Sequence, residues 1–438
     1  MQLADRLVIK IKSIAFGGEG VGRVHNFVVF VPFAAPGDEL EIAITELKKT
    51  YARGKILKII KTSAWRKKPL CGYYESCGGC CYQHINYAQQ LSLKKKQVEE
   101  AFQKIGKIPE PPVRDTIASP EIYHYRGKAQ CHAVKTGQVI NLGFLDISGG
   151  RLVNIGRCEI MEETINAKIK KLREGLILQN HGYEPQSKPW EHSAATREAL
   201  NPPLRGIVQL ANSDALRFRN WSFTNKKDAR LTLWSDLFTQ QTAGKGQIKR
   251  VVKGREFLVP VDGFFQANLF LADALVEEVC RLAAASPINT LIDAYCGCGL
   301  FALFLSPYAG KIISIELNEK SIKFARANAE KQNVQNAEFI QGDVERVLPE
   351  ILSAPGSIID LIILDPPRIG CSIRVLESIG GIKPRRIIYV SCNPATQARD
   401  VKILAQYGYT LMSLLPLDMF PQTHHIEVIG LLEYNGKI

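Results

Sequence analysis

The sequence predicts an α/β protein with a doubly wound parallel sheet in its last part, a small β-barrel at its start and an α+β region between them. Three observations predict this. Short β-rich runs with glycine turns fill residues 1–62, a glycine-rich loop with clustered cysteines opens residues 63–260, and strand and helix patterns alternate over residues 261–438. We take these three ranges as the predicted domains.

Length and charge limit the class of protein. A chain of 438 residues can form about two to three domains, each with its own core. Lys and Arg outnumber Asp and Glu by 56 to 43, and the net charge of +13 favours a polyanionic partner such as nucleic acid. No apolar run has the length of a membrane span, and the amino terminus lacks the features of a secretory signal. We expect a cytoplasmic protein without membrane contact and without an obligate protein partner.

The first 62 residues have the pattern of an oligonucleotide-binding type of barrel. The runs LVIKIKSIAF, FVVFVPFAAPGDELEIAI and ARGKILKII are strand-sized, and the GGEGVG segment between the first two predicts a hairpin turn. A phosphate loop is the alternative, but no helical pattern follows these glycines. Basic residues surround Tyr51 in the last strands, as an RNA-facing surface requires; they are Lys48, Lys49, Arg53, Lys55, Lys58 and Lys61.

A cysteine cluster opens the middle region. Cys71, Cys77 and Cys80 have the spacing C-x5-C-x2-C, and Cys158 lies much further along the chain. Three thiolates on one loop and a distant fourth can close a four-coordinate site for an iron–sulfur cluster or for zinc. Zinc sites more often contain two close Cys-x2-Cys pairs, and radical-generating clusters need C-x3-C-x2-C, neither of which occurs here. Unrelated buried thiols are the remaining alternative, and Cys81 is expected to take no part.

Two further segments of the middle region carry a pattern. Residues 89–106 predict an amphipathic helix, because Val98, Phe102 and Ile105 recur at helical spacing and Gly106 supplies a stop. Residues 123–130, YHYRGKAQ, place basic residues beside tyrosines, which is typical of an RNA-contacting strand and equally of a solvated edge strand.

From residue 261 onward the pattern is that of a nucleotide-binding sheet. Residues 290–306 form an apolar strand, a Gly-x-Gly turn and a helix, as in a dinucleotide-type or S-adenosylmethionine-binding domain. No Lys-Ser/Thr pair follows to clamp phosphates, so a P-loop enzyme is not expected. Glu316, Asp343 and Asp365 come at or just after the ends of the next three strands. Parallel strands bring these ends to one edge, where Glu316 can accept from ribose hydroxyls and Asp343 from an adenine amino group.

Cys392 is the predicted nucleophile. Residues 387–390 are a short apolar strand, and Cys392 follows its carboxyl end, where ligands bind in open α/β sheets. Pro394 removes a backbone donor and restrains Asn393, which fixes the position of the thiol. The alternative is that Cys392 is a small buried apolar residue, as most free cysteines are.

Glu427 is a second candidate site residue. The tail LLPLDMFPQTHHIEVIGLLEY forms two apolar strands in an antiparallel hairpin, and Glu427 begins the second of them. A carboxylate that enters an apolar strand is costly to bury without a partner or a function. A solvated glutamate at a strand edge is the alternative.

Taken together, the motifs FFQAN, DAYCGCG, LDPPR, SCNPAT and PQTHHIE resemble those of the RNA uracil-C5-methyltransferases. The cysteine pattern and an amino-terminal barrel resembling the TRAM domain make the sequence most similar to the iron–sulfur branch that acts on ribosomal RNA. The resemblance covers residues 1 to about 160 and about 261 to 438, and it implies a Rossmann-like methyltransferase fold.

The resemblance also implies roles for particular residues. Cys392 would be the nucleophile that adds to the uracil ring, and Glu427 the base that later removes a proton. Arg368 would contact RNA phosphate. The S-adenosylmethionine site would be lined by Gln266, Tyr295, Glu316, Asp343 and Asp365. A 4Fe-4S cluster would be held by Cys71, Cys77, Cys80 and Cys158. The partner would be RNA, with the reacting uridine in an accessible loop.

Departures from the family leave alternatives. Leu300 stands where many members carry Asn, and residues 180–255 match poorly. An RNA-binding iron–sulfur protein with a degenerate methyltransferase domain is one alternative, and a transfer RNA uridine enzyme is another. Cytosine-C5 enzymes usually carry Pro-Cys where Asp365 is followed by Pro-Pro-Arg. Adenine-N6 enzymes carry an aromatic residue at the place of Arg368.

Overall fold

The structure is a computed structural model that describes residues 2–136, 139–178, 207–209, 228–237, 239–241, 246–353 and 358–436. Most of the poorly matching stretch 180–255 lies outside the described residues. The described strands form a closed barrel, a five-stranded sheet, a three-stranded sheet and a seven-stranded sheet. These sheets fall within the three predicted ranges in order, while the domain boundaries themselves stay predictions.

The barrel has five strands in the order β1-β2-β3-β5-β4. Their bounds are β1 (Arg6–Ile14), β2 (Gly20–Val24), β3 (Phe27–Val31), β4 (Glu39–Leu47) and β5 (Tyr51–Lys61). Alternate residues such as Ile9 and Ile11 face the barrel core and are almost fully buried. Gly17 and Gly18 both have positive φ, +108° and +98°, and turn the chain from β1 into β2. The glycine segment is therefore a hairpin turn, as predicted.

The described part of the middle region contains two helices and eight strands. Their bounds are α1 (Tyr87–Lys104), β6 (Lys128–Thr136), β7 (Val139–Leu145), β8 (Leu152–Asn154), α2 (Glu163–Leu178), β9 (Ile207–Gln209), β10 (Asp228–Trp234), β11 (Thr239–Gln241), β12 (Gln247–Val252) and β13 (Arg255–Pro260). The five-stranded sheet has the order β8-β7-β6-β10-β9, and β11, β12 and β13 form the three-stranded sheet. Among the described helices none is long and apolar enough to span a bilayer.

The last part of the chain folds into the seven-stranded sheet, with the order β16-β15-β14-β17-β18-β20-β19. Its elements are α3 (Ala272–Ala283), β14 (Ile288–Ala294), α4 (Leu300–Leu305), a 3-10 turn at Ser306–Tyr308, β15 (Ala309–Glu316), α5 (Glu319–Lys331), β16 (Ala337–Gln341), α6 (Val344–Leu352), β17 (Leu361–Leu364), α7 (Ile373–Ile382), β18 (Arg386–Ser391), α8 (Pro394–Gln406), β19 (Tyr409–Leu417) and β20 (Glu427–Tyr434). The first five strands are parallel, whereas β20 lies antiparallel between β18 and β19.

Helices cover both faces of this sheet, as a parallel sheet buried on two sides requires. One apolar cluster joins the sheet to α3, α4 and α5, and a second joins it to α6, α7 and α8. The predicted helix is α1, and it packs into the second cluster through Val98 and Phe102, both fully buried. Ile105 instead caps the end of α1 and is 39% exposed. The middle region is thereby attached to the seven-stranded sheet.

The loop of residues 418–426, which joins β19 to β20, is held by polar contacts from α1. Gln90 and Gln422 exchange two hydrogen bonds, each 3.0 Å long. Lys94 donates to Asp418 at 2.5 Å and to the carbonyl of Phe420 at 3.1 Å. The side chains of Lys94 and Asp418 are both completely buried. The β19–β20 loop is therefore fixed from outside its own sheet.

Replacing Lys94 by methionine should lower the free energy of unfolding by about 3–5 kcal/mol, because Asp418 then stays buried without its cation. Lys95→Met is the matched control, since the neighbouring Lys95 forms an ion pair with the 96% exposed Asp115, and exposed pairs contribute little. The midpoints of urea unfolding compare the two variants. Equal midpoints would show that the buried pair is not a stabilising contact.

Candidate active site

Cys392 lies in the turn between β18 and α8, at the carboxyl edge of the parallel strands. All six residues of β18 are buried, which fixes the strand that precedes it. The Asn393 side chain accepts from the amide of Ala395 at 3.1 Å and caps α8, whose first residue is Pro394. The thiol is half-buried. It is thus presented on a rigid turn with partial access from solvent.

Two carboxylates flank this turn. Ser391, the last residue of β18, pairs with Val428 of β20. Cys392 follows Ser391 and Glu427 precedes Val428, so Cys392 and Glu427 lie side by side where the two strands meet this edge. Glu427 is only 5% exposed. Asp365 directly follows β17, the neighbour of β18 on its other side. The nucleophile predicted from sequence therefore lies between the two strands that bring Glu427 and Asp365.

The electrostatics of the three groups are coupled. Burial, with a contribution from Glu427, raises the pKa of the Cys392 thiol to about 11, and Arg368 opposes this rise. Burial, followed by repulsion from Asp365, raises the pKa of Glu427 well above its usual value. Burial and the nearby Glu316 raise the pKa of Asp365 to about 7. At neutral pH the resting thiol is therefore protonated, and both carboxyl groups are stronger bases than exposed ones.

Arg368 connects the loops around the thiol. Its Nη2 donates to His425 Nδ1 at 2.6 Å. Its backbone carbonyl accepts from the side-chain Nδ2 of Asn393 at 3.1 Å and from Thr396 Oγ1 at 3.2 Å. Burial lowers the pKa of His425 to about 3, so the ring is neutral and carries its proton on Nε2. The loop after β17 is therefore tied both to the nucleophile turn and to the β19–β20 loop.

The glycine turn after β14 lies at the same carboxyl edge of the sheet. Tyr295, Gly297 and Gly299 all have positive φ, of +68°, +56° and +85°. Glu316 ends β15, and its carboxylate accepts from the amides of Gly297 at 3.0 Å and Asn318 at 2.7 Å. The carboxylate thus holds the turn and the loop after β15 together at the sheet edge, where ligands bind in this class of fold.

The other predicted cofactor residues lie around the same edge or the segment before it. Asp343 follows β16, and its Oδ1 accepts from the Glu345 amide at 2.9 Å, capping α6. Tyr295 is near enough to Asp343 for the two groups to interact electrostatically. Gln266 lies between β13 and α3 and is 6% exposed. Their roles in cofactor binding stay predictions.

Two residues of the site were missed by sequence reasoning. Asp293 is fully buried in β14; its Oδ2 accepts from the Ala302 amide at 3.0 Å, and its Oδ1 has no hydrogen-bond partner among the described residues. Burial, with Asp365 and Glu316 nearby, raises the pKa of Asp293 to about 8. A carboxylate inside the apolar run LIDAY was the available signal. His425 gave no comparable signal, because its contact with Arg368 joins distant parts of the chain.

The structure brings the four predicted cluster cysteines near one another. Burial raises the pKa of Cys158 to about 12, and Cys77 and Cys71 add to the rise. Burial also raises the pKa of Cys80, with contributions from Cys158 and Cys77. All four thiols are free, which suits thiolate coordination. Within the described residues, however, no group of three or more His, Cys, Asp or Glu side chains is arranged to hold a metal. The iron–sulfur site stays a prediction.

The predicted RNA-binding surfaces differ from expectation in two places. Arg53 pairs with Glu19 at 2.9 Å and with Glu46 at 2.7 Å, and Lys48 also pairs with Glu46, so part of the basic barrel cluster is neutralised within the protein. In the segment 123–130, Tyr125 is completely buried and its hydroxyl donates to the carbonyl of Pro421 at 3.0 Å. Tyr125 therefore supports the β19–β20 loop and is not available to RNA.

Comparison with known proteins identifies the family. Residues 5–57 match the TRAM domain, and residues 287–406 match a methyltransferase domain. The chain is 33% identical to an uncharacterized RNA methyltransferase of Clostridium tetani, over 97% of this chain and 96% of the relative. The chain belongs to the RNA methyltransferases. A relative of the same description from Gloeobacter violaceus is also 33% identical, over 98% of this chain and 96% of its own length.

A solved structure agrees with this assignment. The RNA methyltransferase is similar to the tRNA (uracil-54, C5)-methyltransferase of Pyrococcus abyssi in complex with S-adenosyl-L-homocysteine, with 26% identity and a TM-score of 0.68. The match covers 98% of this chain and 100% of the other. The predicted Rossmann-like methyltransferase fold with an amino-terminal TRAM barrel is confirmed. S-adenosylmethionine is accordingly the methyl donor.

In this RNA methyltransferase, alkylation of Cys392 by iodoacetamide should accelerate about tenfold per pH unit above neutrality and level off only near its raised pKa of about 11, since the thiolate is the reactive form. Glu427→Gln should move the midpoint to lower pH, because it removes a negative charge. Arg368→Ala should move it to higher pH. Mass spectrometry of the Cys392 peptide gives the rates, and shifts of the same sign would contradict this electrostatic assignment.

Proposed function

We propose that this RNA methyltransferase transfers the methyl group of S-adenosylmethionine to C5 of a uridine through a covalent Cys392 adduct. The supporting observation is the placement of Cys392 and Glu427 at the ends of adjacent strands, beside the nucleotide-binding edge. A thiol beside a buried carboxylate supplies the two groups that this reaction needs. Methylation at an exocyclic amine requires no thiol.

The chemistry explains the need for the thiol. Uracil C5 is a poor nucleophile, but addition of the Cys392 thiolate at C6 breaks the C5–C6 double bond and gives an enolate. C5 then attacks the methyl carbon, the carbon–sulfur bond of the sulfonium breaks, and S-adenosylhomocysteine leaves. C5 now carries a methyl group and a hydrogen. Removal of that proton restores the double bond and expels the thiolate.

Glu427 is proposed to remove the C5 proton. It is 5% exposed and begins β20, beside Cys392. Because burial raises the pKa of Glu427 well above its usual value, it is a stronger base than a solvated carboxylate. Asp365, on the other side of β18, is proposed to orient the uracil ring. The target base must leave its stack to reach this buried edge, which implies an exposed or flipped uridine.

The donor site is proposed at Gln266, Tyr295, Glu316, Asp343 and Asp365. Glu316 fits the ribose hydroxyls, since it ends β15 and holds the glycine turn. Burial, with Glu316 nearby, raises the pKa of both Asp293 and Asp365. The cationic sulfonium and ammonium of the donor would stabilise the ionised form of these carboxyl groups, whereas anionic RNA phosphates would oppose it. The electrostatics of this edge therefore favour the donor over RNA phosphate.

Two classes of RNA are candidate substrates. Ribosomal RNA is the substrate that the resemblance to the iron–sulfur branch of the family implies. Transfer RNA is the second candidate, because the similar solved structure is a tRNA (uracil-54, C5)-methyltransferase. Mapping methylated uridines in RNA from cells with and without the protein separates the two.

A 4Fe-4S cluster held by Cys71, Cys77, Cys80 and Cys158 is part of the proposal. The four thiols are free and lie within electrostatic range of one another. Burial raises the pKa of Cys80 and Cys158, which disfavours the isolated thiolate form. The cluster would replace protons on these sulfurs and crosslink two distant segments of the middle region.

RNA that contains 5-fluorouridine should trap the protein covalently in the presence of S-adenosylmethionine, since fluorine at C5 cannot leave as a proton does. Cys392→Ala should abolish the adduct and methyl transfer while binding of S-adenosylhomocysteine persists. Cys280→Ala, at a half-buried thiol on α3, should leave the adduct intact. Glu427→Gln should accumulate an adduct with ordinary uridine RNA, because resolution is blocked. Methyl transfer to cytosine or adenine without a trapped species would reject the proposal.

Anaerobically prepared protein should contain iron and sulfide in a ratio that fits one cluster, with a visible absorption band. Cys158→Ser should lose most of both, because one of four ligands is removed. Cys81→Ser is the matched control, since Cys81 lies next to Cys80 but contacts His424 Nδ1 at 3.6 Å. Colourless protein that contains zinc would assign a different metal to the four thiols.

A further inference from the structure

Four rings form a continuous series from the barrel to the edge of the active site. Phe16 lies just after β1, in the turn that leads into β2. Its ring packs edge to face against the ring of His424, with 6.1 Å between the ring centres. His424 lies 4.2 Å from His425, which meets Phe420 at 5.7 Å. At the inner end His425 accepts from Arg368, beside the proposed nucleophile and base. Phe16 is the outermost member of this ring series.

The backbone fixes Phe16 in this position. It precedes the Gly17–Gly18 turn, in which Gly18 donates to the carbonyl of Ala15 at 3.0 Å. The Gln97 amide on α1 donates to the same carbonyl at 3.2 Å. A methyl group on Gly18 would lie 2.7 Å from the sulfur of Cys81, so the turn packs closely on the cysteine segment. The ring of Phe16 is therefore held at one place on the surface.

Phe16 is nevertheless not used in the core. It is 43% exposed and lies outside the apolar clusters of the barrel and of the adjoining cysteine segment. Single exposed apolar residues are common and need no function. Phe16 differs because a turn of two positive-φ glycines and a neighbouring imidazole hold it beside a site that must bind RNA. Nearly half of this aromatic residue is left open to solvent.

We infer that Phe16, supported by His424, stacks a nucleobase adjacent to the target uridine in the substrate RNA. The inference deepens the proposed function and rests on it for the position of the target base at Cys392. When a base leaves its stack, its neighbour loses a stacking partner. An aromatic side chain replaces that partner without regard to base identity. RNA is the expected occupant because Arg368, at the inner end of the ring series, is exposed and the chain carries a net charge of +13.

The test uses single-stranded RNA in which 2-aminopurine occupies a position next to one uridine, since stacking quenches its fluorescence. With wild-type protein and S-adenosylhomocysteine, binding should add quenching at one flanking position. Phe16→Ala should remove that quenching and weaken binding about tenfold, and Phe16→Trp should restore both. Tyr308→Ala is the control: Tyr308 is 45% exposed but precedes the amino end of β15, away from the site.

Calorimetric binding of S-adenosylhomocysteine shows that each variant is folded. Quenching that is unchanged in Phe16→Ala, or reduced equally in Tyr308→Ala, would overturn the inference. The 5-fluorouridine adduct reports on the proposed function separately, because it requires Cys392 and not the fluorescent base. An adduct without Phe16-dependent quenching contradicts only the inference. Phe16-dependent quenching without an adduct supports the base-stacking role and contradicts only the uracil chemistry.

Discussion

The position of Glu427 depends on polar contacts that are buried away from water. Gln90 and Lys94 of α1 reach into the β19–β20 loop, where they bind Gln422 and Asp418. Each of these groups would be costly to leave unpaired in a dry interior, so the loop has one favourable arrangement. The strand that follows the loop begins with Glu427. The candidate chemistry of the last domain is thus positioned by a helix from the middle region.

The barrel is linked to the same loop. Its first turn packs on Cys81, and the amides of Cys81 and Tyr82 donate to the carbonyl of Gln422 at 3.1 and 2.9 Å. The cysteine segment therefore lies between the barrel turn and the loop that precedes Glu427. Any order that a metal cluster gives to this segment would act on both neighbours. The three parts of the chain are physically continuous at the point where RNA would enter.

Local sequence patterns predicted the parts of the fold that depend on nearby residues. The strand before Cys392, the glycine turn after β14 and the buried face of α1 through Val98 and Phe102 follow from periodicity and turn residues. The edge that collects Glu316 and Asp365 follows from the rule that parallel strands end together. These features required no knowledge of distant contacts. Recognised motifs supplied the family, which the relatives then confirmed.

Other features depend on contacts between residues far apart in the sequence. The insertion of β20 between β18 and β19 brings Glu427 to Cys392, and no local pattern encodes that order. The pairing of Arg368 with His425 is of the same kind. Tyr125 resembled a surface residue because its neighbours are basic, but it is completely buried and its hydroxyl donates to the carbonyl of Pro421. Burial of a tyrosine is decided by the neighbouring segments and not by its own.

The order of the strands has a consequence for synthesis. β18 pairs with β17 on one side and with β20 on the other. β20 follows α8 and β19 in the sequence, so it is synthesised after them. A growing chain therefore holds the thiol before it holds the carboxylate, and β18 keeps unpaired backbone groups during that interval. Addition of β20 completes the sheet and the candidate site in one step.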